Sequence, residues 1–531
     1  MSSWGLYNTD GRSAGAVALS RSTGMPLARF WLFGLGLFLS AILVFASGLG
    51  LKAQAIVLAA VLVAACVPVC IYFPVITEKL VLFVMAFTLS VSIKKHLMFR
   101  PDHVGGSIGL RLSFTEFLIL VIIGLAIFRR RGALPELKLD KGITCAFAVC
   151  MMIYVLSAIF GNDIVFGLFQ VIAFLQAFLL FAFLTNYLTS VVRLRIFIAG
   201  ALLGLAMQSS VAIVQSAKPG LLKLHFLGAV EEGELKIVNG HIVLPDVDHG
   251  TTEVGGDVAE RPSGMLIHPN LLALYLALTL PLAVGLLLAS NSWRYELFVL
   301  VVLGLGMAAL YLSLSRSGWL GFLAAVMLGA AWWKLKRPAR IVQYKRILLV
   351  VVVLAGIVGV ASKAQKIYLR FTESADQAIT FRRNLGFAAL RMVGTHPFLG
   401  VGLNSFETVV EDYDPTTMSR YKQYPVHNIF LLELAETGVF GAAAFLVLWG
   451  IILRRIFKEA NRCPSPLWKV FTFASGCGLV GFFVGDMSNF LYRNPIMTLM
   501  VWVQVALALA AARIGRQQHS QALAGEANGV L

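Results

Sequence analysis

Residues 164–192 read IVFGLFQVIAFLQAFLLFAFLTNYLTSVV, a run without a single charged side chain. At 1.5 Å per residue a helix through this run exceeds the roughly 30 Å thickness of a bilayer core. It is apolar on every side, so it has no face to offer to water. Similar runs recur along the chain: Phe30–Leu51, Ala53–Ile76, Leu80–Ile93, Leu112–Phe128, Gly142–Gly161, Ile196–Ala217, Met265–Ser292, Leu297–Ser315, Ser317–Trp333, Ile347–Ser362, Ile429–Leu453, Val470–Gly485 and Pro495–Ala512. With about 17–25 residues needed per crossing, they predict an all-α polytopic membrane protein of about 12–14 transmembrane helices, Leu80–Ile93 being short enough to be re-entrant. Helices are required because backbone exposed to lipid must satisfy its hydrogen bonds within its own segment. Barrel strands would alternate in hydropathy, and these runs do not.

Composition points the same way. Of 531 residues, 58% are hydrophobic and 13% charged, against about 45–50% and about 25% in ordinary soluble domains. So much apolar surface cannot be hidden in one water-soluble core, which excludes a soluble enzyme, a disordered protein and a collagen-like fibre. The net charge is +17. Most of the basic residues fall in short loops between apolar runs, which is a topology signal and not a nucleic-acid patch. Arg129–Arg131, Arg193 and Arg195, Arg294, Lys334–Arg346, and Arg454–Lys469 all follow even-numbered runs. The positive-inside rule then places these loops and both termini in the cytoplasm. Lys94, Lys95, Arg100 and Arg111 form the one loop that resists this assignment.

The expected organisation is a cytoplasmic tail (1–29), an N-terminal bundle (30–217), an acidic outer loop (218–264), further spans (265–362), a large outer loop (363–426), C-terminal spans (427–512) and a cytoplasmic tail (513–531). The first tail is not a signal peptide by this reading, since Phe30–Leu51 is long enough to span and stay. The six cysteines avoid the loops assigned to the outer face, so no disulfide framework is expected.

Polar groups cluster at the outer loops. Ser315-Arg316-Ser317-Gly318 sets an arginine at the membrane edge, where it either snorkels or meets an anion. Phe381-Arg382-Arg383-Asn384 precedes an amphipathic helix expected near Asn384–Val393. Two arginines at such a helix start suit a negative ligand, and a solvated charge pair is the alternative. Pro425-Val426-His427-Asn428 leads into a span, which favours a neutral imidazole near the positive helix end. Such a group can take a proton from a hydroxyl, or merely cap and pack. Glu433 and Glu436 come next as intramembrane carboxylates, either functional or paired with arginine. Arg261-Pro262-Ser263-Gly264 and His268-Pro269-Asn270 close the acidic loop; there Arg261 can add to an anion site and Asn270 can bridge helices. Asp246-Val247-Asp248 with His249 matches a metal–diphosphate pattern weakly, and no metal is expected.

These stretches in this order resemble the O-antigen ligase and polymerase family of bacterial membrane glycosyltransferases. The likeness runs from Arg261-Pro262-Ser263-Gly264 through His268-Pro269-Asn270, Ser315-Arg316-Ser317-Gly318, Arg383 with Phe387, His396-Pro397, Gly400-Val401-Gly402 and His427-Asn428 to Leu431, Glu436, Gly438 and Gly441. It covers roughly residues 260–445. The resemblance implies a C-type glycosyltransferase-like bundle with two large periplasmic loops in the bacterial inner membrane. It implies inverting transfer of a glycan from undecaprenyl pyrophosphate to an acceptor hydroxyl, without cofactor or metal. It gives Arg316 and Arg383 the pyrophosphate, assisted by Arg382 and Arg261, and makes His427 the base or orienter. Asn270, Asn428 and Glu436 are expected to contact substrate. The implied partners are the lipid-linked glycan donor, a glycan or lipid acceptor, the bilayer and other polysaccharide assembly proteins. Ligase, polymerase and protein-glycosylating activities stay open. A lipid-linked-sugar flippase is the alternative class, disfavoured because the ionisable residues sit at the outer ends of spans and not at mid-membrane.

Overall fold

The computed structural model describes residues 73–91, 94–100, 106–129, 138–218, 236–238, 241–243, 251–254, 257–266, 268–336, 376–416 and 424–529. The chain falls into two compact units, Met1–Leu80 and Val81–Leu531. Of the first unit, only residues 73–80 are described; the helical bundle belongs to the second.

Among the described residues the order is α1 (Pro74–Thr88), β1 (Lys94–Phe99), β2 (Gly109–Ser113), α2 (Phe114–Arg129), α3 (Lys141–Phe160), α4 (Ile164–Tyr187), α5 (Val191–Ala217), β3 (Lys236–Val238), β4 (His241–Val243), β5 (Thr251–Val254) and β6 (Asp257–Glu260). Then come α6 (Pro269–Ala289), α7 (Trp293–Leu312), α8 (Arg316–Lys336), α9 (Asp376–Thr395), α10 (Phe406–Tyr413), α11 (Ile429–Arg462), α12 (Pro466–Asp486), a 3-10 turn (Leu491–Arg493) and α13 (Pro495–Gly529). The strands make three antiparallel two-stranded hairpins. Among the described residues eight helices, α3 to α7 and α11 to α13, are long and apolar enough to cross a membrane. The protein is an all-α polytopic membrane protein. The expected runs Phe30–Leu51 and Ile347–Ser362 lie outside the described residues, as do most of Ala53–Ile76 and Asp246–His249 of the acidic loop.

Helix starts follow local chemistry. Asp140 caps α3 and Asp163 caps α4, each carboxylate accepting from two backbone amides of the first turn, which satisfies donors a helix start leaves over. The bundle core is aromatic: Trp502 meets Phe147 and Phe178 edge-on at 5.6 Å and lies beside Phe181 and Trp449.

Contacts sort the loops into two ends. At the first, Asp140 pairs with Arg455 (3.0 Å), and Glu459 pairs with both Arg455 and Arg516. There Arg513 donates to the Thr185 and Leu188 carbonyls, Trp332 to Asn461, and Trp468 to Gln518. The basic loops expected on one side thus converge. At the second end, Arg100 pairs with Asp163 (2.8 Å), and the Asn162 amide donates to the Val401 carbonyl (3.0 Å).

The resistant loop is accounted for by this geometry. Strands β1 and β2 pair at the second end, where Arg100 has its carboxylate and Arg111 is buried. Burial pushes the Arg111 guanidinium down to about 10. The short run Leu80–Ile93 is not a complete crossing. Its helix, α1, starts earlier and ends at Thr88, and its 15 residues span about 22 Å, short of a bilayer core.

Candidate functional site

The site lies at the second end, where the chain entering three helices converges. Arg316 opens α8 directly after Ser315. The guanidinium of Arg261 is fixed by donating from Nε to the Ser313 carbonyl (2.8 Å) and from Nη2 to Asn270 Oδ1 (2.8 Å). The same Asn270 oxygen accepts from the Ser315 hydroxyl (3.0 Å), and Asn270 Nδ2 donates to Asn489 Oδ1 (3.2 Å). Asn270 therefore bridges the 261–264 segment, α8 and the α12–α13 turn. His268 caps α6, its Nδ1 accepting from the Asn270 amide (3.1 Å).

Beyond Asn489 comes Phe490, whose ring meets His427 edge-on at 5.3 Å. Among the described residues no hydrogen bond reaches the buried Nδ1 of His427. The imidazole is pushed down to about 3, first by burial and then by the neighbouring Arg382 and His268. His427, Arg382 and His268 therefore share one electrostatic neighbourhood. The expectation of a neutral imidazole ahead of α11 agrees with this, although burial outweighs the helix end as the cause.

The arginine pair is not at a helix start, contrary to expectation. Helix α9 begins at Asp376, because Asp376–Phe381 contains no breaker and continues the helix upstream. Leu385, Ala388, Ala389 and Met392 are fully buried along one face. Arg382 and Arg383 are both exposed, but Arg382 lies one turn before Leu385 and borders that face, whereas Arg383 lies on the opposite side with Phe387 and Leu390. The positive helix end belongs instead to Arg316, at the start of α8.

Asn428 caps α11: its Oδ1 accepts from the Phe430 and Leu431 amides (3.0 and 3.1 Å). Glu436 is buried, and both its oxygens are engaged by the protein. It accepts from the Asn404 amide (2.9 Å) and the Phe406 amide (3.1 Å), and it faces Arg493 Nη2 at 2.8 Å. Arg493 also faces Glu433 at 3.2 Å, and Glu433 accepts from Tyr154 Oη (2.8 Å).

Arg493, unremarked in the sequence, is 1% exposed and holds two carboxylates of α11 from the turn that carries Phe490. Burial works against its charge, but Glu433 and Glu436 outweigh burial and keep its proton more tightly bound than usual. The only sequence signal was a lone basic residue between two apolar runs, with its acids far upstream.

Helix α11 is broken at Gly438 (φ 64°), and residues 397–402 dock into the break. The Val401 and Gly402 amides donate to the Ala435 and Glu436 carbonyls, both at 3.0 Å, and the Val439 amide to the Pro397 carbonyl (2.8 Å). A Cβ on Gly438 would lie 2.2 Å from the Phe398 carbonyl carbon, so only glycine serves there. Among the described residues no group of three or more His, Cys, Asp or Glu is disposed to hold a metal ion.

A protein-family model described as O-antigen ligase matches residues 298–446. The matched segment contains Arg316, Arg382, Arg383, His427 and Glu436; Arg261, Asn270 and Arg493 lie outside it. No curated protein matches the chain. The matched segment resembles the O-antigen ligase and polymerase family. The chain's long apolar helices make it a multi-pass membrane protein.

Proposed function

We propose that the second end faces the periplasm and that the protein there transfers a glycan from undecaprenyl pyrophosphate to an acceptor hydroxyl, with inversion. The first end, with its basic loops, then faces the cytoplasm. The observation that carries the reading is the grouping of His427 with Arg382 beside the Arg261–Asn270–Ser315 network that precedes Arg316.

In this reaction the acceptor oxygen bonds to the anomeric carbon while the bond from that carbon to the diphosphate oxygen breaks. Negative charge grows on the leaving diphosphate. Guanidinium groups in a water-poor site stabilise such charge strongly. We assign Arg316 and Arg382 to the diphosphate, with Arg261 beside them. His427 takes the acceptor proton. At rest it is a weak base, held so partly by Arg382. A bound diphosphate offsets the Arg382 charge and makes the imidazole more basic, which couples donor binding to activation of the acceptor. Asn270 aligns Arg261 and Ser315. Glu436 and Arg493 hold the docked 397–406 segment and act on position, not on the substrate.

The test uses purified protein in lipid, a diphosphate-linked polyprenyl glycan and candidate acceptors. Wild type should transfer glycan, and Arg316→Ala and His427→Ala should lose transfer. Undiminished transfer by both variants would refute the site. Movement of labelled lipid across vesicles without transfer or release would favour the flippase class. In cells lacking the protein, single repeats on lipid carrier would indicate a polymerase and long unattached chains a ligase.

A further inference from the structure

Helix α9 is apolar on two sides. One side packs inward through Leu385, Ala388, Ala389 and Met392 against Phe406, Val410, Leu432 and Ala435. The other presents Phe387 (53% exposed) and Leu390 (55% exposed). Among the described residues, packing inside the protein accounts for the first side only.

The segment after α9 shows where the second side leads. Phe398 is 62% exposed and stacks on Phe440 of α11, with ring centroids 5.7 Å apart. Phe440, Val439, Leu446 and Val447 are exposed on α11, one of the eight apolar spans. Apolar side chains turned outward from a spanning helix face acyl chains. Backbone hydrogen bonds at Val439–Pro397 and Phe440–Phe398 fix the loop to this surface. The lipid-facing surface of α11 therefore continues onto the segment immediately after α9. Charge agrees: α9 carries Arg382, Arg383 and Arg391 against the single acid Asp376, a balance suited to anionic headgroups.

We propose that the outer face of α9, together with Phe398, rests on the bilayer as an interfacial helix. Phe387 and Leu390 enter the boundary between headgroups and acyl chains, and Arg383 lies at the level of the lipid phosphates. The loop around His427 is then anchored to the membrane surface and is not a lid free in water.

The test is photocrosslinking of the full chain in nanodiscs of phosphatidylethanolamine and phosphatidylglycerol. Benzoylphenylalanine replaces Phe387, Leu390, Phe398, Phe440 or Asp412, one position at a time. Phe440 is the reference for the lipid face, and Asp412, exposed on α10, is the reference for water. The proposal expects phospholipid adducts at 387, 390 and 398 comparable to those at 440 and several-fold above those at 412. Adducts at 387 and 390 no higher than at 412 would overturn it. So would crosslinks from these positions mainly to other parts of the chain, which would show the face covered by protein.

Discussion

Arg493→Met isolates the interaction that ties the proposed active end together. The substitution keeps a long apolar side chain but removes the cation facing Glu433 at 3.2 Å and Glu436 at 2.8 Å. Both carboxylates are buried. Removing one partner of a buried ion pair costs about 3–5 kcal/mol, because the other charge is left uncompensated. The loss should concentrate where Glu436 acts: the Asn404 and Phe406 amides it accepts from, and the Val401 and Gly402 amides docked beside it. At about 1.4 kcal/mol per tenfold change, 3 kcal/mol corresponds to roughly 100-fold faster hydrogen exchange at these amides. The amides of α13 around Arg513, at the first end of the bundle, should change far less. Combining Arg493→Met with Glu433→Gln and Glu436→Gln removes all three charges and should recover part of the protection, since an ion network replaced as a whole is often nearly neutral. Unchanged exchange at 401–406 in the single variant, or a triple variant worse than the single, would refute the reasoning.

His427→Gln should lower transfer by about 100- to 10,000-fold, the range for a lost general base, in single-turnover assays. His427 is pushed down to about 3 by burial and by Arg382, below its ordinary 6.5. The folded protein thus holds it neutral, so its contribution to stability is complete above pH 6.5 and is lost as pH falls from there toward 3. Thermal unfolding followed from pH 7 to pH 4 should show this decline in wild type and a smaller one in His427→Gln. Arg382→Gln removes a neighbouring positive charge, so His427 should titrate at higher pH than in wild type, read from imidazole NMR shifts; an unchanged midpoint would separate the two residues. Gly438→Ala forces a side chain onto φ 64° and into the Phe398 carbonyl carbon, so a loss above about 2 kcal/mol is expected in denaturant titration. Asn270→Ala removes the shared acceptor of Arg261 and Ser315 and should raise KM for the donor more than it lowers kcat.

The bundle was legible because bilayer thickness sets run length and the bilayer excludes charge; runs such as Ile164–Val192 carry both signals on their face. Loop charge gave the sidedness pattern, and contacts such as Asp140–Arg455 gather those loops at one end. The pairing of β1 with β2 was harder to read, because Arg100 follows a tertiary partner, Asp163, far along the chain. The same limit hid Arg493, whose meaning lies in Glu433 and Glu436 on another helix. Motifs did mark the neighbourhood of His427, Arg316 and Asn270, since each sits where a loop turns into a span. They did not resolve Arg382 from Arg383. That distinction depends on where α9 starts and which face it buries, and the upstream Asp376–Phe381 stretch holds two cap-type residues, Asp376 and Thr380, that would start the helix at different points.

The most direct measurement is glycan transfer by the purified protein in nanodiscs, from a diphosphate-linked polyprenyl glycan to a defined acceptor, comparing wild type with Arg316→Ala, Arg382→Ala and His427→Ala. The account predicts a new glycosidic bond of inverted configuration with wild type and its loss in all three variants. Transfer that survives all three substitutions, or a wild-type protein that never forms the bond, would contradict it.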